Sequence, residues 1–161
     1  MRQSATLTKV SDGDTVWVLI TGRRVKLRLL GIDTPEKFNS RKLDKDARKC
    51  GVDRKYMRRL GLAATRYAKS LLHKGQKVRV AVYGHGYYGR TLAMVYLPDG
   101  TCYNERVVKD GYACLYKYRG HKSKEIPLPE WQTLNRLLIK ARRNKAGLWG
   151  EYFEVMDCLC R

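Results

Sequence analysis

Four carboxylates stand in two short runs of the sequence, D-G-D-T-V (12–16) and L-L-G-I-D-T-P-E (29–36). The chain carries only 15 acidic residues against 34 lysines and arginines, so acids gathered at one place need a reason. Thr21-Gly22 is a hairpin signal between two β-rich runs, 15–20 and 24–30. Antiparallel pairing across that turn sets Asp14 near Arg28 and Leu30, with Asp33 just beyond. Asp12, Asp14, Asp33 and Glu36 therefore gather at one mouth of the sheet. Unpaired, they would repel and raise one another's pKa. A hard divalent cation, Ca²⁺ or Mg²⁺, takes carboxylate and carbonyl oxygens as ligands and resolves that conflict. Spacing alone leaves a second reading open: Asp33 as a helix N-cap, Pro35 early in the helix, and Glu36 reaching back as in a capping box. Asp12-Gly13 is then only a turn. No apolar helical pattern follows Glu36, which weighs against that reading.

Other patterns carry less. G-H-G-Y-Y-G (84–89) has the spacing of a dinucleotide fingerprint, but that fingerprint needs a helix next. The strand-like T-L-A-M-V-Y-L (91–97) follows instead, so the glycines read as a tight hairpin that projects Arg90. The three histidines, His73, His85 and His121, form no H-E-x-x-H or comparable cluster, and no Ser-His-Asp set is identifiable.

The elements that must position the acids follow from periodicity. Strands are expected at 6–10, 15–20, 24–30, 77–83 and 91–97. A helix is expected through Leu62, Ala63, Tyr67, Leu71 and Leu72, ended by Gly75, and a short one near Asn104–Lys109. Pro129 opens a further helix with Trp131, Leu134, Leu137, Leu138 and Ala141 on one face. Residues 37–60 read as a long basic surface loop with at most a helical turn. The order suits a five-stranded Greek-key barrel of the OB type with about three helices, an α+β fold. One domain is expected over 1–150, with a C-terminal tail at 151–161.

A formal net charge of +19 makes a field that draws polyanions, nucleic acid first and an anionic membrane surface second. With 43% hydrophobic residues the chain can bury a core. No apolar run approaches the roughly 18 residues of a membrane span, so no membrane partner is expected. The N-terminus lacks the apolar stretch of a leader, so a cytoplasmic protein is expected; a secreted one whose leader had been removed would read alike. Cys50, Cys102, Cys114, Cys158 and Cys160 are odd in number and form no C-x-x-C. Cys158-x-Cys160 has the makings of an oxidised pair or a metal site, but the two read better as free thiols near a frayed end.

D-G-D-T-V (12–16), R-L-L-G-I-D-T-P-E (28–36), Y-G-R-T-L-A (88–93), N-E (104–105) and G-L-W (147–149) together resemble the staphylococcal nuclease (thermonuclease) family, in order over about residues 6–150. The resemblance implies a monomeric OB-fold, Ca²⁺-dependent phosphodiesterase. It would cut DNA and RNA, single-stranded or locally unpaired, with little sequence preference and leave 3′-phosphate ends. Asp14 and Asp33 would be carboxylate ligands of Ca²⁺, and Thr34 would give its main-chain carbonyl. Glu36 would act through a water as general base, and Arg28 and Arg90 would clamp the phosphate. Tyr88, Tyr116 and Tyr118 resemble residues that bind substrate, although the spacing in L-Y-K-Y (115–118) differs by one residue. The loop after Glu36 is longer and more basic than in secreted members, and Tyr87 stands where a lysine is frequent. The alternative is a catalytically inactive module of this fold that binds nucleic acid. The presence of Asp14, Arg28, Asp33, Glu36 and Arg90 together favours the nuclease.

Overall fold

The computed structural model describes residues 1–86 and 89–161, so what was expected of Tyr87 and Tyr88 lies outside the described residues. Five strands close a barrel: β1 (Arg2–Asp12), β2 (Thr15–Ile20), β3 (Arg23–Leu29), then β5 (Lys77–His85) and β6 (Thr91–Tyr96). A two-residue strand, β4 (Ile32–Asp33), lies between them in sequence. The order around the barrel is β1-β2-β3-β6-β5, with β5 pairing back onto β1. Only the β3–β6 pair is parallel among these five. Period-two alternation drives Leu7, Val16, Val18, Leu27, Leu29, Val80, Ala93 and Val95 inward, all buried, as the sequence pattern requires. At the β2–β3 turn, Thr21 and Gly22 both take positive φ, 48° and 79°, as a two-residue hairpin loop demands.

Three helices stand where periodicity put them: α2 (Arg54–Leu71), α3 (Tyr103–Lys109) and α4 (Leu128–Arg143). They seal the barrel ends through Ala68, Val107, Val108 and Leu134. Asn104, fully buried on α3, donates its side-chain amide to Leu30 O (3.0 Å) and Ala93 O (3.1 Å) and accepts from Val95 N (3.1 Å). It thereby satisfies backbone groups around the end of the β3–β6 pairing, where an unmet group would cost about 1–3 kcal/mol.

The expected loop and tail are corrected. Residues 41–49 form helix α1 (Arg41–Lys49), and α2 begins at Arg54, within the segment read as loop. Ser40 caps α1 by accepting from Leu43 N (3.2 Å), and Asp53 caps α2 by accepting from Tyr56 N (2.7 Å). The C-terminal residues form α5 (Leu148–Glu151) and α6 (Phe153–Leu159), giving six helices among the described residues rather than three. Leu43, Ala47, Met57, Leu60, Trp149, Val155 and Met156 make a second buried cluster that joins these parts. Disulfides Cys50–Cys158 and Cys114–Cys160 fasten α6 to it, so the end is not a frayed pair of thiols; Cys102 is the one free cysteine, and it is buried. Among the described residues no helix is long and apolar enough to cross a membrane.

Candidate active site

Gly13 and Asp14 form the turn from β1 to β2, and the Asp14 amide donates to Asp12 Oδ1 (3.0 Å). Hairpin register pairs Thr15 with Arg28, so Asp14 reaches the far end of β3 as the turn signal predicts. Beyond β3, Gly31 takes φ 80°, a conformation that suits glycine, and redirects the chain into β4. β4 pairs antiparallel with β7 (Cys114–Leu115), setting Asp33 opposite Cys114. The Tyr116 amide then donates to Gly31 O (2.9 Å), which brings Tyr116 to the same mouth.

One guanidinium organises the acids. Arg28 Nη1 donates to Ile32 O (2.8 Å) and Leu29 O (3.1 Å). Its Nη2 faces Asp14 Oδ2 (3.5 Å) and Asp33 Oδ1 (3.8 Å). Asp14 is buried, and its Oδ2 also accepts from the amide (3.0 Å) and hydroxyl (3.1 Å) of Thr34. Burial would push the Asp14 carboxyl up, but Arg28, Asp12 and the Thr34 amide together hold it below the ordinary carboxylate value. Asp33 goes the other way: burial raises it, and Lys42 only partly offsets this. Lys42 Nζ, from α1, lies 3.6 Å from Asp33 Oδ1 and 3.2 Å from Asp46 Oδ2. Burial opposes its charge, yet Asp33 and Asp46 push this ammonium above the ordinary lysine range. Asp12 is pushed from 3.8 to about 7, first by burial and then by Asp14, with Glu36 adding. The repulsion inferred from the sequence thus falls on Asp12 and Asp33, while Arg28 shields Asp14.

The acids and arginines share one cleft of about 700 Å³, lined among others by Asp12, Asp14, Arg28, Asp33, Thr34, Glu36, Lys42, Arg90 and Tyr116. The Arg28 and Arg90 guanidinium carbons lie 5.5 and 5.8 Å from the centroid of the Tyr116 ring, so both cations sit close to one aromatic. Tyr118, exposed on β8 (Lys117–Tyr118) under Arg119, is not among the residues lining the cleft. Glu36 lies at the cleft with its Oε1 accepting from the Phe38 amide (3.2 Å). The helix start read as an alternative for 33–36 does not form: Thr34 to Lys37 carry no regular structure, and α1 starts only after Ser40.

Three positioning residues had not been singled out. Gly61, inside α2, packs so closely that a Cβ there would stand 2.2 Å from Glu36 O. Arg58 Nε donates to Lys37 O (2.8 Å) from the same helix. Together they fix the backbone that carries Glu36. A glycine amid a helical pattern is a signal for such a close approach; Arg58 and Lys42 have no comparable signal in so basic a chain.

Among the described residues no group of three or more His, Cys, Asp and Glu side chains forms a ready metal cage. The oxygens in the cleft that could hold a cation are the carboxylates of Asp14 and Asp33 and the Thr34 carbonyl. All are hard oxygens, which suit Ca²⁺ with waters completing its shell better than they suit a softer transition metal.

The family model described as staphylococcal nuclease homologue matches residues 26–151. The chain is similar to an uncharacterized endonuclease of Escherichia coli O157:H7, 32% identical over 145 residues that cover 90% of this chain and 76% of that protein. It is similar to a micrococcal nuclease of Shigella flexneri, 29% identical over 153 residues, 90% of this chain and 72% of that one. Endonuclease YhcR of Bacillus subtilis (strain 168) shares 29% identity over 153 residues, which span 92% of this chain but 12% of that longer protein.

Proposed function

The chain belongs to the staphylococcal nuclease family, and from that premise we propose that it is a Ca²⁺-dependent phosphodiesterase that cuts DNA and RNA with little sequence preference and leaves 3′-phosphate ends. The observation that carries this reading is the sharing of one cleft by Asp14, Asp33 and two guanidiniums, with Arg28 touching both acids and both arginines close to the Tyr116 ring.

Asp14, Asp33 and the Thr34 carbonyl would hold the cation. When bound, Ca²⁺ would supply Lewis-acid stabilisation of charge on a phosphoryl oxygen. Phosphodiester hydrolysis builds negative charge on the equatorial oxygens. Arg28 and Arg90 bring two guanidinium charges to those oxygens, so they favour the transition state over the ground state. Arg28 has little freedom to swing, because its Nη1 is fixed by the Leu29 and Ile32 carbonyls. Such pre-ordering spares reorganisation during reaction. Glu36 accepts a proton from the attacking water at a carboxylate oxygen, its backbone held by Gly61 and Arg58. Tyr116 gives the substrate an aromatic wall beside both arginines.

The test is cleavage of single-stranded DNA, duplex DNA and RNA with Ca²⁺, Mg²⁺ or EDTA, with the new ends identified by whether their 5′-hydroxyl accepts phosphate from a polynucleotide kinase without prior phosphatase treatment. Cutting that needs Ca²⁺ and leaves 3′-phosphates is expected. Cutting that persists in EDTA, or 5′-phosphate ends, would overturn the cation and the product respectively. Tight binding with no cutting in any metal would overturn the enzyme.

A further inference from the structure

The cleft continues past the acids along the outer face of β2 and β3, where Arg24, Val25 and Lys26 line it together with Arg28. Leu27 and Leu29 point into the barrel, so period two sets Arg24, Lys26 and Arg28 in a row on the outward face of β3. Register places Trp17 opposite Lys26 on β2, and Lys9 opposite Trp17 on β1. The Arg24 guanidinium carbon lies 4.5 Å from the Trp17 ring centroid and Lys26 Nζ lies 5.8 Å from it. Trp17 is half-buried, while Lys9, Arg24 and Lys26 are exposed. Among the described residues none of these three cations is paired with a carboxylate. A tryptophan that only covered a barrel wall would meet apolar neighbours, not two cations over its ring with a third opposite in register.

We infer that this face is a track for the unpaired nucleic-acid strand flanking the scissile phosphate, with Lys26 and Arg24 on successive backbone phosphates and Trp17 stacking a base between them. The inference rests on the nuclease reading, which fixes Arg28 as the start of the track. Alternate residues on a strand recur every ~6.6 Å, a step that suits the phosphates of an extended single strand. Duplex DNA keeps its bases stacked on one another and offers no ring face to Trp17. The cations serve the backbone of either form, and the indole selects single-stranded or locally opened substrate. They give the basic surface a local direction, away from the acids along β3.

The test is anisotropy of a fluorescein-labelled oligothymidylate of about 12 nucleotides, within the site size of one OB fold, in EDTA over a salt series. The double variant Arg24→Ser/Lys26→Ser is expected to weaken Kd about tenfold and to lower the salt slope by about 1.4, at 0.7 per cation for single strands. Trp17→Ala is expected to lose about tenfold in affinity, and Trp17→Phe to recover most of it. Arg136→Ser/Lys140→Ser on α4 removes the same charge from exposed positions elsewhere and serves as control. The track is overturned if the control weakens binding as much as the Arg24/Lys26 pair. It is also overturned if Trp17→Ala, folded by circular dichroism, binds like wild type. If Trp17→Ala does not fold, the exposed Arg24/Lys26 pair decides alone. Binding in EDTA needs no turnover, so a wild type that fails to cut overturns the function proposed above, while the track stands or falls on these ratios.

Discussion

Glu36 owes its place to a missing side chain on another element. Gly61 lies in the middle of α2, and a Cβ added there would stand 2.2 Å from Glu36 O, 2.3 Å from Glu36 C and 2.5 Å from Lys37 N. Ordinary contact begins near 3.4 Å, so Gly61→Ala must open a gap of about 1.2 Å between α2 and the Glu36 backbone. The neighbour is backbone rather than a flexible side-chain tip, and Arg58 ties Lys37 O to the same helix, so the segment cannot yield locally without cost. Alanine gains about 1 kcal/mol of helix propensity over glycine, which offsets part of the strain in overall stability. Catalysis has no such offset, because a misplacement of about 1 Å typically costs on the order of 100-fold. Gly61→Ala is therefore expected to melt within a few degrees of wild type while kcat for oligonucleotide cleavage falls on the order of 100-fold. Activity within about threefold of wild type would refute the claim that α2 positions Glu36, because 1.4 kcal/mol already corresponds to about tenfold.

Two further outcomes follow from the same geometry. The Asp12 carboxyl is raised from 3.8 to about 7 by burial and then by Asp14, so its folded pKa lies above its unfolded one. Its stabilising contribution is fully present below about 4 and is lost as pH rises through about 7. Asp12→Asn keeps an oxygen for the Asp14 amide and cannot ionise, so without metal its stability advantage over wild type should grow between pH 5 and pH 8. That gain should be on the order of 2 kcal/mol after discounting for partial exposure; parallel pH profiles of thermal melting would contradict it. Cys50 caps α1, which carries Lys42, and Cys114 pairs with Asp33, so both disulfides bear on the acid cluster. Opening Cys50–Cys158 alone by Cys158→Ser should cost about 2–4 kcal/mol in urea unfolding; a midpoint equal to wild type would count against α1 being held by α6.

What was legible in the sequence was whatever depends on local pattern. The Thr21-Gly22 turn and the period of 15–30 predicted that Asp14 would meet Arg28, and the register Thr15↔Arg28 bears that out. The five strands and the three helices nearest the barrel follow from the same periodicities. The helix α1 was not legible, because only Leu43 and Ala47 are buried among its nine residues. Its stability comes from Ser40 and from apolar partners such as Trp149 and Met156, more than 90 positions away in sequence. The disulfide Cys50–Cys158 spans 108 residues and obeys no spacing rule, so pairing could be read only once α6 had been placed beside α1. Tyr116 reaches the cleft through a backbone bond to Gly31 that no side-chain pattern announces. The acid cluster was legible as a cluster; how Arg28 and Lys42 divide it between them was not.

The central claim separates holding the cation from activating water. Calorimetric titration of Ca²⁺ into wild type and Glu36→Gln, followed by single-turnover cleavage of single-stranded DNA at saturating Ca²⁺, tests it most directly. Both proteins should bind one Ca²⁺ with Kd values within about tenfold, while Glu36→Gln cuts at least ~100-fold more slowly, the range expected for loss of a general base. A Glu36→Gln protein that binds Ca²⁺ and cuts at the wild-type rate, or a wild type that cuts without binding Ca²⁺ at all, would contradict it.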